Sequence, residues 1–303
     1  GTRKHIVEIL KSENWHRVGL VCDHNLIGNQ DVSTLILSLE NEVGKFVKAE
    51  CSISEPTYDS LDHMREQFAD PALQVIIGIG GGSAMDMAKA MVVLVNNKGK
   101  AIEYRGFNKM TEAVLPIIAV PTTAGTGSEI TPNASFIDTR EKKKLGINGE
   151  AIRPMYAFLD PELTLSCPGA ASVSAGVDSM VHAVEAFAAR KTNRIARFFA
   201  AEGFRRVFEA IFLLVNDLDD IHLREEVMYG AFLSGIALMH SGTGPSAAMS
   251  YPLSVHYRVP HGIGGGIFLP HVVEHNIRAG YTDYAQIYNP EHLETNRALD
   301  SFL

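Results

Sequence analysis

Asp178 and His182 are residues whose types and spacing could do chemistry: they stand four apart, so on a helix both project from one face. Side chains in that relation have Cβ atoms roughly 6 Å apart. A carboxylate oxygen and an imidazole nitrogen at that distance can share one divalent metal ion. The plainer alternative is a surface hydrogen bond. Val177, Met180, Val181, Val184 and Phe187 weigh against it, because they make the helix largely buried, where an unpaired aspartate is costly. His261, in Val259-Pro260-His261-Gly262, is a third ligand candidate, flanked by His256 and His271, either of which could instead be a core or supporting histidine.

A second kind of chemistry is written in residues 75–90. Val75, Ile76, Ile77 and Ile79 form an apolar run suited to a parallel strand buried on both faces. Gly80, Gly81 and Gly82 then allow a sharp bend and close approach of a ligand. Ser83 is placed as the N-cap of a helix over 84–95. Open N–H groups and the positive end of the helix dipole meet at that bend, which suits a phosphate. Three glycines could also merely make the turn. The run is neither a G-x-G-x-x-G fingerprint nor a P-loop, since Lys89 lies well inside the helix. A second loop, 121–131, follows an apolar strand at 114–120 and is dense in hydroxyls and glycines, with Glu129 after Ser128. It offers donors to a ligand lying over the carboxyl ends of strands. Asp23, just past a first strand at 17–22, could accept hydrogen bonds from a ribose or simply cap a turn.

These residues need an α/β layer and a helical layer to position them. Helices are expected at 32–43 and 58–68 and a strand at 46–53, alternating as in a parallel sheet. Beyond residue 157 the pattern fits helices, at 174–189, 194–216, 223–240 and from 264. The expected domains are therefore 1–157, α/β, and 158–303, helical.

With 303 residues, 46% hydrophobic and 20% charged, the chain can bury two medium cores. A net charge of −8, with no basic run beyond Lys142–Lys144, which is read as a solvated turn, argues against a nucleic-acid partner. Cys22, Cys51 and Cys167 are odd in number and widely spaced, which fits no disulfide framework or zinc knuckle. No apolar run reaches membrane-spanning length and the opening residues Gly1-Thr2-Arg3-Lys4 do not read as a signal peptide, so no membrane partner and a cytoplasmic location are expected.

Taken in order, Gly80–Ser83 with Asp86 and Lys89, the 121–131 loop, the 176–185 segment carrying Asp178 and His182, and Pro260-His261-Gly262 with Leu269-Pro270-His271 resemble the iron-containing (group III) alcohol dehydrogenases. The resemblance covers nearly the whole chain. It implies an N-terminal α/β nucleotide-binding domain and an all-α C-terminal domain, the dehydroquinate synthase-like fold, with NAD(P) and a divalent metal, iron or zinc, in a cleft. By position, it implies that Gly81, Gly82 and Ser83 hold the pyrophosphate, that Thr122, Thr123 and Thr131 hold the rest of the dinucleotide, and that Lys144 lies near the nicotinamide ribose. Asp23 stands where members preferring NAD over NADP carry an aspartate, and Asp178, His182 and His261 fall on three of four metal ligands.

The fourth ligand position is Ala247, and Tyr251 stands where many members have a further histidine. Three protein ligands plus an open position, a substitute such as His256 or His240, or a metal-free site are the alternatives. The expected activity is NAD-dependent oxidation of a primary or secondary hydroxyl, of a polyol or sugar acid, with His261 at the reacting centre and Tyr251 or His256 releasing the proton. The partner is then a small alcohol, and a homodimer is expected. A dehydroquinate synthase-like sugar-phosphate cyclase and a metal-free nucleotide-binding homologue are the other readings.

Overall fold

Apolar β-branched runs alternate with amphipathic segments from the first residues, and strand and helix alternate with them. The computed structural model describes residues 1–288 apart from Ser54 and Pro71. In chain order come α1 (Ile6–Ser12), β1 (Arg17–Asp23), α2 (Gln30–Glu42), β2 (Lys45–Cys51), α3 (Tyr58–Gln67), β3 (Val75–Gly80) and α4 (Gly82–Leu94). They are followed by β4 (Gly106–Phe107), β5 (Ile117–Pro121), β6 (Asn133–Asp138), β7 (Lys143–Asn148) and β8 (Tyr156–Ala157). Five helices complete the described chain: α5 (Gly169–Ala188), α6 (Arg194–Leu214), α7 (Ile221–Ser241), α8 (Pro245–Tyr257) and α9 (His261–Arg278).

The main sheet has the order β2-β1-β3-β5-β8, with every pairing parallel. Its central strand β3 is buried at all six positions, as a strand covered on both faces must be. Ile76 belongs to one buried cluster with Met91, Tyr58 and Leu61, while Ile77 and Ile79 belong to another with Leu20, Leu35 and Leu39. Each such isoleucine contributes about 1.5–3 kcal/mol by leaving water. The pairings Cys22↔Ile79 and Gly80↔Pro121 bring the carboxyl ends of β1, β3 and β5 to one edge, where Asp23, the glycine bend and Thr122 follow.

Several expectations are corrected. Helix α4 begins at Gly82 and its N-cap is Gly81, so Ser83 is a helical residue and not the cap. The extended backbone of Gly81 already turns the chain, one bend earlier than Ser83 would. Strand β5 starts only at Ile117, because Pro116 has no N–H to give a ladder; its carbonyl accepts from the Ile76 N–H at 3.1 Å. Lys142–Lys144 is not simply a solvated turn. Lys142 alone turns the chain, at φ +51°, while Lys143 and Lys144 open β7, which pairs antiparallel with β6 and parallel with β4 in a second sheet.

The described chain divides into two units, Gly1–Thr123 with Ser128–Ser166, and Ala124–Gly127 with the residues from Cys167 onward. Residues 158–166 stay with the first unit: the buried Asp160 takes a 2.9 Å bond from the Arg3 guanidinium. In the second unit, Val181 and Phe187 of α5 pack with Phe204, Val207 and Ile211 of α6, Val227 of α7, and Leu269 and Val273 of α9. Helix α8 was absent from the sequence expectation, since Pro252 interrupts its pattern and Gly242 and Gly244 precede it; Pro245 at its first turn costs no hydrogen bond. No described helix is long and apolar enough to cross a membrane.

Candidate active site

In the first unit, the glycine bend is forced by geometry. Gly80 sits at φ +147°, and a Cβ there would lie 2.7 Å from the Ala84 Cβ and 2.8 Å from the Asp23 Cβ. Glycine is therefore required, and its closeness to Asp23 shows how tightly the ends of β1 and β3 are drawn together. The Thr122 N–H donates to the Gly80 carbonyl at 2.9 Å, and a Cβ on Gly81 would stand 3.3 Å from the Thr123 side chain. Asp23, Gly81, Gly82, Ser83, Thr122 and Thr123 thus gather around the N-terminus of α4, a helix of 13 residues whose first N–H groups point out of its end. Asp23 also caps the turn after β1, as the plainer alternative held, with Oδ1 accepting from the Asn25 backbone at 3.0 Å. Thr131 and Lys144 are placed differently. Thr131 is buried with its hydroxyl 3.5 Å from the Lys89 ammonium, and Lys144, on β7, donates to Glu55 at 2.6 Å.

Behind the bend, a charged network ties the two loops together. Lys89 is fully buried and donates to Ser128 Oγ and the Asn133 carbonyl, each at 2.8 Å. Asp86 accepts from Ser128 Oγ at 2.6 Å and from the Ser135 N–H at 2.8 Å. Removal from water, opposed by the charges of Asp86 and Glu129, pushes Lys89 down to about 8. Burial pushes the Asp86 carboxyl up, against the pull of Lys89 and its hydrogen bonds.

A pH prediction follows from Lys89. Its ordinary value is 10.5, so between about pH 8 and 10.5 the unfolded chain holds the proton that the folded chain has released. Stability contributed by this group therefore rises with pH across that window. The stability gap between the wild type and Lys89→Met should move toward the wild type by up to about 3 kcal/mol across it. Urea midpoints measured along the pH series check this, and a gap that stays flat contradicts it.

In the second unit, α5 presents Asp178 and His182, both buried at 4% and 5% exposure. His261 is the first residue of α9. Its approach depends on the next residue: a Cβ on Gly262 would lie 2.0 Å from the Ser174 carbonyl oxygen and 2.9 Å from the Asp178 Cβ. Only glycine lets the start of α9 lie against α5. Asp178 Oδ1 is then 3.7 Å from His182 Nε2 and 3.8 Å from His261 Nε2, and one ligand atom from each of the three lies within 4.8 Å of the others.

The chemistry of this group fits a divalent cation. One carboxylate between two imidazoles is a buried negative charge that a cation would neutralise. On His182 it is Nε2, the nitrogen 3.7 Å from Asp178 Oδ1, that such a cation would meet; Nδ1, the other ring nitrogen, is buried with no hydrogen-bond partner among the described residues. Imidazole and carboxylate together suit iron or zinc.

Other site residues sort by position. Tyr251, on α8, stacks on the His261 ring at 5.2 Å and 24°. Ala247 is buried on the same helix. His256 is exposed and contacts the Tyr257 ring, and His240 and His271 are exposed too; none joins the Asp178 group, so substitution of the missing ligand by His256 or His240 has no support in this geometry. Two residues with structural weight had no role in the sequence reading. Glu185, one turn beyond His182, accepts from the N–H groups of Gly244 at 2.7 Å and Ser246 at 2.5 Å and so caps α8 from α5. Ser250 contacts His261. Glu185 lay inside a quoted motif, and burial of its helix was its only signal.

Residues 1–161 match the family model described as iron-containing alcohol dehydrogenase, and residues 172–296 match its Fe-containing C-terminal counterpart. The NAD-dependent methanol dehydrogenase of Bacillus methanolicus is 30% identical over 95% of this chain and 75% of its own length. The 1,3-propanediol dehydrogenase of Citrobacter freundii is 31% identical over 76% of this chain, which spans only 58% of that protein. Among solved structures, the sulfoacetaldehyde reductase of Bifidobacterium kashiwanohense in complex with NAD+ superposes with a TM-score of 0.83 at 28% identity, over 91% of this chain and 73% of that one.

Proposed function

The chain belongs to the iron-containing alcohol dehydrogenase family, NAD-dependent oxidoreductases that use a divalent metal, and from that premise we propose that it oxidises the hydroxyl of a small alcohol, diol or sugar acid by hydride transfer to NAD. The observation that carries the reading is the convergence of Asp178, His182 and His261 within 4.8 Å, supported by the glycine bend that leads into the N-terminus of α4. Asp178, His182 and His261 would hold the cation, and Gly81, Gly82 and Ser83, with Thr122 and Thr123, would hold the dinucleotide. When bound, the cation supplies Lewis-acid polarisation of the alcohol oxygen, lowering its pKa toward neutrality.

The chain's own residues do the rest. The two imidazoles and the carboxylate would set where the hydroxyl sits in the second unit, and the α4 N-terminus would set the pyrophosphate in the first. Asp23, at the end of β1, would repel a 2′-phosphate, which favours NAD over NADP. Tyr251, stacked on His261, is the group we place for proton release through its hydroxyl. Thr131 and Lys144 act further off in this reading, through Lys89 and Glu55. A homodimer in the cytoplasm belongs to the same proposal.

The test is a panel of primary alcohols, diols, polyols and sugar acids offered to metal-loaded protein with NAD and followed by NADH absorbance. Net NADH with at least one class is the expected result. Turnover of a sugar phosphate with no net NADH would assign a cyclase instead, and NAD binding without any turnover would leave a nucleotide-binding homologue.

A further inference from the structure

We propose that Ser250 is a positioning residue that holds His261 in its Nδ1–H form and so turns the Nε2 lone pair toward Asp178 and His182. Ser250 is wholly buried on α8, and its Oγ lies 2.7 Å from the Ala247 carbonyl oxygen and 2.6 Å from His261 Nδ1. A hydroxyl has one proton to give and a carbonyl has none. The 2.7 Å contact is a hydrogen bond only if Ser250 donates to Ala247. Its oxygen then has only lone pairs left for His261, and the 2.6 Å contact requires the proton to be on Nδ1. In the neutral ring Nε2 is left as the acceptor, and Nε2 is the atom 3.8 Å from Asp178 Oδ1.

The carbonyl that orients Ser250 is itself held. Glu185 Oε1 accepts from the N–H groups of Ser246 at 2.5 Å and Ala247 at 3.4 Å, and Oε2 from Gly244 at 2.7 Å, which locks the first turn of α8. A line of bonds therefore runs from α5 through α8 to the first residue of α9. It begins at Glu185, three residues beyond His182, passes the Ala247 backbone and Ser250, and ends on the ring of His261. Partners of this kind set ring orientation and basicity, and their loss typically weakens a metal site about 10–100-fold.

The purpose of this arrangement rests on the metal reading above, but its first test does not. In chelator-treated, 15N-labelled protein, in mildly alkaline buffer where imidazole is neutral, long-range proton–nitrogen correlation spectra should show His261 protonated on Nδ1. In Ser250→Ala the ring should move toward the Nε2–H form, with the thermal melt little changed because the substitution only removes a hydroxyl. Cobalt(II) titrated against a competing chelator should bind Ser250→Ala about 10–100-fold more weakly than wild type. An Nε2–H ring in the wild type overturns the proposal, as does a Ser250→Ala protein with unchanged tautomer and unchanged cobalt(II) affinity. Wild-type protein that keeps the Nδ1–H ring yet takes up no cobalt(II) upholds the role of Ser250 and refutes the metal reading instead.

Discussion

Replacing His261 by alanine is expected to abolish alcohol oxidation while leaving NAD affinity within about twofold of the wild type. His261 contributes one of three converging ligand groups in the second unit, whereas the glycine bend lies in the first. The loss should exceed the roughly 10–100-fold typical of a residue that only supports a ligand, because a donor atom itself is removed and Asp178 and His182 are left to bind the cation alone. Steady-state turnover and an NAD titration on the same preparation measure both quantities. Weakened NAD binding with turnover intact would place His261 on the dinucleotide side and refute its assignment.

Gly81→Val should produce the complementary result. Gly81 has φ −77° and ψ −174°, a conformation open to any residue, so the fold should survive. The cost is space: a Cβ would already stand 3.3 Å from Thr123 Cγ2 and Oγ1, and the valine methyls would cover the N-terminus of α4. A phosphate kept from two backbone N–H groups loses two charge-assisted hydrogen bonds at about 1.5–3 kcal/mol each. NAD affinity should fall by at least about 100-fold, with metal content unchanged. Unchanged NAD affinity by calorimetry would count against the pyrophosphate role of the bend. Together, the two variants test the metal assignment and the dinucleotide assignment separately.

The parts of this site that were legible in the sequence are those that depend on neighbours along the chain. The run from Val75 to Gly82 declares a buried strand and a bend because β-branched residues and glycines act locally, and Asp178 and His182 declare a shared face because a helix has a fixed period. His261 was found only because Pro260 and Gly262 frame it; the reason for Gly262, its approach to Ser174, is a contact between helices. Contacts of that kind carry no spacing rule. Ser250 and the capping role of Glu185 were invisible for the same reason, since Ser250 meets His261 across a turn between helices and Glu185 reaches α8 from α5. His256 illustrates the converse: it is close to His261 along the chain yet exposed at the end of α8. The β6–β7 pair was missed because two of the six residues of β7 are lysines and only Ile147 is buried, so tertiary pairing overrides a weak local pattern.

Everything above turns on whether the three side chains that meet between α5 and α9 hold a metal ion, and elemental analysis of purified protein reads that directly. The account predicts about one iron or zinc per wild-type chain after reconstitution, and its loss in Asp178→Asn and in His182→Ala. A wild type that retains no divalent metal, or variants that retain as much as the wild type, would contradict it.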